Sequence, residues 1–214
     1  MITCLATRLR QTLTVLAAVM ALVLAGCSDA SDYIGQPGDT EEHDMSLDEQ
    51  FHELMQRPDI EQAVAHYDEM LTDIRPALRE VADLPEWQRR DGRGSQPGCS
   101  RSFPDIGVWD AENRFMDRWH AKGPITDENW SAAVDAVHRI AGDYGFDTVT
   151  QDINHGGRKS HKITDNYGAE LSLSTEGYTT IRVFTGCHLK PDAKNHGQPR
   201  PRPERTTGPA TETG

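Results

Sequence analysis

Two segments in the first half of the chain carry apolar residues at helical spacing. Ser46-Leu47-Asp48-Glu49 matches a capping box, which predicts a short helix that ends at about Gln56. Pro58 is then expected as the first residue of a second helix, because proline is favoured at that position. Apolar residues recur three and four apart from residue 60 to residue 81, so one stripe of this helix should face the core.

The second half of the chain combines a further helix with strand-like segments. Thr126 is suited to begin this helix, and Gly145 is suited to end it. Strands are predicted at residues 111–120, 146–153, 168–174 and 178–185. The last two strands flank Thr175-Glu176-Gly177 and should form a hairpin. The pattern therefore predicts an α+β fold, with an antiparallel sheet of about four strands and two main helices packed on one face.

Three other segments are predicted to lack regular structure. Residues 83–102 mix proline, glycine and arginine, which is typical of a loop. A basic polar loop is expected between the strand at 146–153 and the hairpin. After Leu189 the chain contains prolines but no large apolar residue, so residues 190–214 are predicted to be a disordered tail. A single α+β domain over residues 46–189 remains.

The first 26 residues match a lipoprotein signal peptide. Arg8 and Arg10 precede an uncharged, mostly apolar segment over residues 11–26. This segment is shorter than the ~20 apolar residues that a stable membrane span needs. It ends in Leu24-Ala25-Gly26-Cys27, which resembles the lipobox of bacterial lipoproteins. Processing there would leave Cys27 as the first mature residue, with a diacylglyceryl group on its sulfur.

Lipidation of Cys27 predicts a protein that is anchored in the cell membrane and lies on its extracytoplasmic face. Two or three acyl chains anchor a protein stably, because each buried methylene contributes ~0.8 kcal/mol. The alternative is an ordinary cleaved signal with an incidental cysteine. The membrane is thus the first partner that the sequence predicts.

Residues 27–45 are predicted to be an acidic, disordered tether. They contain almost no residue that a core would bury, and the chain has no lysine or arginine between Gln11 and Gln56. Like charges extend a linker, and anionic headgroups repel this one. We therefore expect the tether to hold the folded domain away from the bilayer.

The whole chain is acidic, with a formal net charge of −12 at pH 7. The leader carries two arginines and no acidic residue, so its removal changes the net charge to −14. Phosphate backbones attract basic proteins and repel acidic ones. The composition therefore excludes nucleic acid as a partner.

The four cysteines can be assigned once the lipobox is accepted. Cys4 leaves with the leader and Cys27 is lipidated, so Cys99 and Cys187 remain in an oxidising exterior. One pair allows one connectivity, which predicts a Cys99–Cys187 disulfide, with two free thiols as the alternative. Neither cysteine lies in a CxxC or CxxH motif, so no metal site is expected at them.

The order of these motifs resembles the LppA-type lipoproteins of mycobacteria and related actinobacteria. The resemblance covers about residues 58–189 and rests on the lipobox, Trp87 ahead of a cysteine, a helix ending at Tyr144-Gly145, Gly168 at the start of a hairpin and Thr185-Gly186-Cys187 at its end. It implies a cell-envelope lipoprotein with a compact mixed domain, anchored at Cys27 and bridged by Cys99 and Cys187. It implies no catalytic residues. The acidic tether, the His-Gly-Gly-Arg-Lys segment and the proline-rich tail depart from the family pattern.

The segment DINHGGRKSHK holds the first candidate ligand-binding residues. Asp152, His155 and His161 are of the types that bind metals, but their spacing matches no metal signature. Arg158 and Lys159 follow two glycines and could wrap an anion together with the backbone. The alternative is a solvated hairpin loop.

Trp109 and Trp119 are the other candidate ligand-binding residues. Aromatic side chains line grooves for glycans or lipids, but they also stabilise cores through their large buried area. The core is the expected place for each of the four tryptophans. Trp109, which lies near Gly107, is expected to be the most exposed of them.

The sequence predicts a binding role and no catalysis. It contains no G-x-S-x-G motif, and no histidine has a local partner that would mark a catalytic triad. We therefore expect no enzyme and no cofactor, but a lipoprotein whose domain binds or scaffolds an envelope protein or another surface component. The alternative function is a carrier or sensor of a lipid, glycan or other small ligand, which requires an apolar cavity.

Overall fold

The structure is a computed structural model that describes residues 45–90, 95–96 and 98–201, with the backbone alone for residues 95–96. The predicted leader, Cys27 and the tether up to residue 44 lie outside the described residues. So does the chain beyond residue 201. Within the described part, no helix has both the length and the apolar character needed to cross a membrane.

Helices and strands occur mostly in separate runs along the described chain, as is typical of the α+β class. The helices are α1 (Leu47–Gln56), α2 (Ile60–Ala82), α3 (Asp127–Gly142) and α4 (Pro191–His196). The strands are β1 (Gln88–Arg90), β2 (Ser95–Gln96), β3 (Ala111–Arg114), β4 (Arg118–Lys122), β5 (Thr148–His155), β6 (Arg158–Thr164), β7 (Glu170–Thr175), β8 (Tyr178–Phe184) and β9 (His188–Leu189). The predicted fold class is confirmed.

Side-chain caps begin the first two helices. The capping box before α1 is confirmed, since the Ser46 amide donates to the Glu49 carboxylate at 2.8 Å and the Glu49 amide donates back to the serine hydroxyl at 3.4 Å. Helix α2 begins two residues later than predicted, and Pro58 lies outside it. Asp59 is the N-cap instead, and it exchanges hydrogen bonds with Gln62. A capping box satisfies two free amides, whereas a first-turn proline only removes one.

The larger sheet is antiparallel throughout and has six strands, in the order β1-β4-β8-β7-β6-β5. A smaller sheet has the order β2-β3-β9. The prediction of about four strands was therefore too low. Residues 83–102, predicted as a loop, contribute the short strands β1 and β2. The prediction of one strand over residues 111–120 was also wrong, because the chain crosses from the smaller to the larger sheet at Met116, whose amide donates to the Val183 carbonyl.

The basic segment after residue 153 is a hairpin of β5 and β6 and not the predicted loop. Gly156 and Gly157 form its two-residue turn, with φ angles of 61° and 79°. Paired positive φ angles are characteristic of a type I′ turn, which joins antiparallel strands tightly. Lys159, Ser160 and His161 are buried in β6. The apolar alternation that identifies a strand is weak here because polar residues occupy both faces.

Helices α2 and α3 pack on one face of the larger sheet, as predicted. Thr126 caps α3 as expected, with its hydroxyl accepting from the Asn129 amide at 3.3 Å. The main core includes Tyr67, Leu71, Ile74 and Leu78 of α2, Trp130 and Val137 of α3, and Ile163, Leu171, Leu173, Ile181 and Val183 of the sheet. These sheet residues occupy alternate positions of β6, β7 and β8, so the residues between them point away from the helices.

Cys99 and Cys187 form the predicted disulfide, with their Cα atoms 5.7 Å apart. The bridge lies in a second apolar cluster, separate from the main core. This cluster contains Phe51 and Leu54 of α1, together with Phe103. The disulfide therefore joins the segment between β2 and β3 to the segment between β8 and β9.

The folded domain extends past Leu189, where its boundary was predicted. Ala193 of α4 is fully buried in the disulfide cluster. Farther along, the Arg200 guanidinium donates to the carboxylate of Asp110, which is 1% exposed. The predicted disordered tail is therefore wrong for residues 190–201. A single arginine paired with a buried carboxylate fixes this segment, and composition alone does not reveal such a pair.

Candidate functional site

The larger sheet has an open face, which we define as its side opposite α2 and α3. Side chains of a strand alternate between the two faces, so the neighbours of the buried apolar residues project onto the open face. Lys162, Ser172 and Arg182 form one row across β6, β7 and β8, because they are register partners. The adjacent row consists of Ser160, Ser174 and Thr180.

The open face is rich in cations although the chain as a whole is acidic. Arg118, Arg158 and Arg182 are exposed there, and Lys162 is half-buried. Lys162 pairs with Glu170 at 3.0 Å. Among the described side chains, the three arginines have no carboxylate within ion-pair distance. Such a segregation of charge creates a local positive potential whatever the sign of the net charge.

Hydroxyl groups fill the space between these cations. The Gln151 amide donates to the Ser160 hydroxyl at 2.8 Å, and the hydroxyls of Ser174 and Thr180 are 3.2 Å apart. The resulting depression has a cavity volume of about 610 Å³. Tyr178, at its edge, is 58% exposed and offers an aromatic ring. The open face can therefore attract an anion and exchange hydrogen bonds with it.

The two basic candidates of the sequence lie on opposite faces of β6. Arg158 projects onto the open face, whereas Lys159 points toward α3 and is 3% exposed. The Lys159 ammonium pairs with Asp127 at 2.7 Å and donates to the Ile125 carbonyl at 3.1 Å. Lys159 thus fixes the start of α3, and it cannot bind an anion together with Arg158.

Trp109 is covered by the C-terminal segment of the domain. Its indole lies so close to Gly107 that a Cβ added there would be 2.1 Å from a ring carbon. The indole Nε1 donates to the Arg200 carbonyl at 3.2 Å. Trp109 is half-buried, like Trp87 and Trp119.

Trp119 lines a groove between α2 and β4, on the helix side of the sheet. The Arg75 guanidinium stacks on its ring at 3.7 Å. The groove has a cavity volume of about 730 Å³, and Leu71 and Met116 also contribute to its wall. Trp119 Nε1 is a buried donor with no hydrogen-bond partner among the described residues. Of the four tryptophans, Trp130 is the one that is fully buried.

His155 and His161, the histidines considered as metal ligands, and His188, a third histidine, are separated in the structure. His155 is exposed beside the β5–β6 turn, whereas the ring nitrogens of His188 face two backbone carbonyls in the disulfide region. His161 meets His138 of α3, with 2.7 Å between their Nε2 atoms, and its Nδ1 is 3.5 Å from the Asp152 carboxylate. Across the described residues, no group of three or more acidic, histidine or cysteine side chains is placed to hold a metal ion.

Burial lowers the pKa of His161, although Asp152 acts in the opposite direction. A separation of 2.7 Å between two ring nitrogens requires one proton between them, so one ring donates to the other. The pair therefore ties α3 to β6. Sequence reasoning missed His138 because 23 residues separate it from His161 and no local pattern connects them.

Arg118 and Arg182 were also missed as candidate site residues. They lie on β4 and β8, which are neighbours in the sheet but far apart in sequence. A signal was present, because Arg182 stands between Ile181 and Val183 in an alternating strand, and the arginine must then point away from the core. The position of Arg118 next to it follows only from the order of the strands.

The comparison with solved structures concerns the described domain. The chain is similar to the lipoprotein LppA from Mycobacterium tuberculosis, with a TM-score of 0.51 and 15% sequence identity over 72% of this chain and 91% of that chain. It is also similar to a DUF4853 family protein from Actinomyces odontolyticus, with a TM-score of 0.34 and 15% identity over 63% of this chain and 71% of that one. No curated protein matches the chain.

A family model covers most of the folded domain. The LppA model, described as "Lipoprotein confined to pathogenic Mycobacterium", matches residues 35–191. The match includes both bridged cysteines and the whole larger sheet. It confirms the resemblance inferred from the sequence, and a lipoprotein family implies association with a membrane or with the cell envelope. This chain belongs to the LppA family of lipoproteins.

Proposed function

We propose that this chain is a membrane-anchored cell-envelope lipoprotein whose domain binds a partner on its open face without catalysing a reaction. The observation that carries this proposal is the group of exposed arginines without carboxylate partners, together with hydroxyls, on a sheet face that no described helix covers; Arg182 also stacks on the Phe115 ring at 5.2 Å. Exposed charges without partners add little to folding stability. Their concentration on one face of an acidic protein is better explained by a ligand.

Five reactive side chains of the domain are engaged in structural contacts, which supports a binding role. Cys99 and Cys187 are bridged, and His138 and His161 bind each other between α3 and β6. Lys159 holds the start of α3. The open face itself offers cations and hydroxyls, which are groups that position a ligand.

Anchoring through Cys27 is the second part of the proposal. The lipobox Leu24-Ala25-Gly26-Cys27 and the lipoprotein family support it. Mass spectrometry of the native protein should find a diacylglyceryl-modified Cys27 at the mature N-terminus, on the extracytoplasmic side. A Cys27→Ser variant should leave the membrane fraction. Retention of this variant in the membrane would contradict the anchor.

Site-specific photocrosslinking in intact cells tests the open face. A photoreactive phenylalanine analogue replaces Tyr178, which lies on the open face, and in a second variant it replaces Tyr167. Tyr167 is a matched control because it is also an exposed tyrosine, at 39%, but lies near the disulfide. We expect an adduct from position 178 and none from position 167. Equal yields at the two positions would contradict a partner on the open face.

The groove beside Trp119 favours a second candidate function, the binding of a small ligand. Its volume of about 730 Å³ lies within the range of about 300–1,000 Å³ that is usual for ligand pockets. The unpartnered Trp119 Nε1 would gain an acceptor from such a ligand. The wall also contains charged residues, among them Glu61 and Arg114, so the ligand would be amphipathic rather than a simple lipid chain.

Native mass spectrometry of protein isolated from the envelope tests this second function. A carrier should retain a small molecule, and a Trp119→Phe variant should lose it while the Trp109→Phe variant keeps it. Trp109 is the matched control because the chain's own Arg200 already accepts its indole hydrogen bond. Protein that carries no small molecule, in both variants and in the parent chain, would contradict the carrier function.

A further inference from the structure

We propose that the ligand of the open face is an anionic polysaccharide, a polymer that carries carboxylate or phosphate groups among many hydroxyls. This inference rests on the proposed function, because it names the chemical class of the partner at the same face.

Charge complementarity indicates the sign of the ligand's charge. Arg118, Arg158 and Arg182 are exposed and have no carboxylate partner among the described side chains, and Lys162 is only partly offset by Glu170. The four cations outnumber Glu170 and Glu176, the carboxylates beside them, whereas the chain as a whole is acidic, with a formal net charge of −12. An anion is therefore attracted to this face and repelled elsewhere, which favours one orientation of binding.

The spacing of the cations favours a polymer over a single small anion. Lys162 and Arg182 lie in one row, with the β7 residue Ser172 between them. Two strand spacings of ~4.8 Å place their Cα atoms roughly 10 Å apart. Arg118 and Arg158 extend the basic area to β4 and to the β5–β6 turn. One phosphate or carboxylate cannot contact all four cations, whereas a chain with repeated charges can.

The residues between the cations favour a hydroxylated ligand. Ser160, Ser172, Ser174 and Thr180 present hydroxyls that both donate and accept hydrogen bonds. Sugar hydroxyls have the same dual capacity, so they can replace the water on this face without leaving donors unpaired. The exposed ring of Tyr178 adds a flat apolar surface against which a sugar ring can lie.

A membrane surface or a protein partner fits this face less well. Membrane-surface elements bury large apolar side chains in the headgroup region. Ile153, the register partner of Ser160, is exposed beside the depression, but among the described residues Tyr178 is the only large hydrophobic side chain in the wall of the depression itself. The centres of protein interfaces are depleted of charged residues and enriched in aromatic residues. The centre of this face has the opposite composition.

A binding assay with defined polymers tests the inference. The mature chain from residue 27 onward is used with the substitution Cys27→Ser, so that no lipid anchor contributes. The probes are polygalacturonate, neutral dextran of similar length, vesicles that contain phosphatidylglycerol, and double-stranded DNA. We expect saturable binding to polygalacturonate that weakens as the salt concentration rises, and weak or no binding to the other three probes.

Two double variants with the same change of net charge separate the open face from general electrostatics. Arg118→Gln/Arg182→Gln removes two cations of the open face, whereas Arg101→Gln/Arg139→Gln removes two exposed cations elsewhere. The first variant should weaken polygalacturonate binding about tenfold, which corresponds to two exposed charge contacts of modest strength. The second should change it less than about twofold. Thermal unfolding of both variants checks that the fold is intact.

Several outcomes would overturn the polysaccharide assignment. These are no binding to polygalacturonate at low salt, equal losses in the two variants, equal binding to neutral dextran or to DNA, or binding to vesicles alone. Photocrosslinking from position 178 distinguishes failure of the polysaccharide assignment from failure of the proposed binding function. An adduct with a protein would leave the open face as a binding site and exclude this ligand class. The absence of any adduct would remove the proposed function as well.

Discussion

Loss of the Cys99–Cys187 bridge should lower the free energy of unfolding by about 4 to 5 kcal/mol. The two cysteines are 88 residues apart in sequence. For a loop of this length, the chain-entropy model gives about 4.6 kcal/mol at 25 °C, because the bridge restricts the unfolded chain. Whole domains have unfolding free energies of roughly 5–15 kcal/mol. A chain without the bridge should therefore be only marginally folded.

Urea unfolding and refolding kinetics of a Cys99→Ala/Cys187→Ala variant test this reasoning, with tryptophan fluorescence as the signal. A bridge that acts on the unfolded state should, when lost, slow refolding by up to about three orders of magnitude and leave unfolding nearly unchanged. The m-value, which is the slope of the unfolding free energy against urea concentration, should increase, because the unbridged unfolded chain is more expanded and exposes more surface.

The opposite kinetic pattern would refute the entropic explanation. Faster unfolding with unchanged refolding would show that the bridge stabilises the native state through its contacts in the disulfide cluster. A loss below about 1 kcal/mol would show that the unfolded chain gains little freedom. Dithiothreitol should destabilise the parent protein and leave the double variant unaffected, which controls for effects of the reductant.

The other predictions concern the core, the effect of pH and the buried lysine. Phe146 is 0% exposed, so urea denaturation of Phe146→Ala should show a loss of about 3–5 kcal/mol, and a loss below about 1 kcal/mol would contradict its place in the core. Burial lowers the pKa of His161 and of His188 below the ordinary value of 6.5. The unfolded chain therefore takes up protons first, and calorimetry should show a Tm that is constant above pH 6.5 and falls between pH 6.5 and 5.5. A constant Tm between pH 6.5 and 5.5 would contradict the lowered pKa values of the two histidines. Lys159→Met should cost about 1–3 kcal/mol in urea, because a buried carbonyl loses its donor, whereas the matched Lys162→Met should cost at most about 1 kcal/mol. Equal losses would mean that the two lysines do not lie on opposite faces.

The features that sequence predicted well depend on residues close together in the chain. The capping box at Ser46 and Glu49 spans a single helical turn. The hairpin of β7 and β8 was predicted from two alternating runs around a short turn at Gly177. The disulfide was predictable because, after the leader and lipobox cysteines are set aside, only one pair remains. Each of these predictions rests either on residues close together in the chain or on the number of cysteines.

Strand β6 shows where pattern reasoning fails. Its first five residues, Arg-Lys-Ser-His-Lys, are all polar, so they indicate a loop. In the fold, the inward positions Lys159 and His161 are buried because Asp127 and His138 of the α3 region bind them. Partners from elsewhere in the chain make a polar strand acceptable in the interior. A pattern that treats polar residues as exposed cannot anticipate such pairs.

The open face could be predicted only in part. Arg158 was a candidate for the right chemistry, but it was grouped with Lys159, which points the other way. Placing Arg158 in a strand would have separated the two residues at once, because neighbours in a strand face opposite sides. Bringing Arg118 and Arg182 together needs the strand order β1-β4-β8-β7-β6-β5, in which β4 pairs with a strand four places later in the chain. No local signal carries that order.

The opposite charges of the two layers give the domain an electric dipole. The outer surfaces of α2 and α3 carry exposed acids, such as Glu69, Glu80 and Glu128, whereas the open face carries arginines. Near a negatively charged layer, the electric field rotates the domain so that its open face points toward the layer before the two surfaces are in contact. Salt limits this effect to about 8 Å under physiological conditions. The domain would thus arrive already aligned over the last few ångströms of its approach.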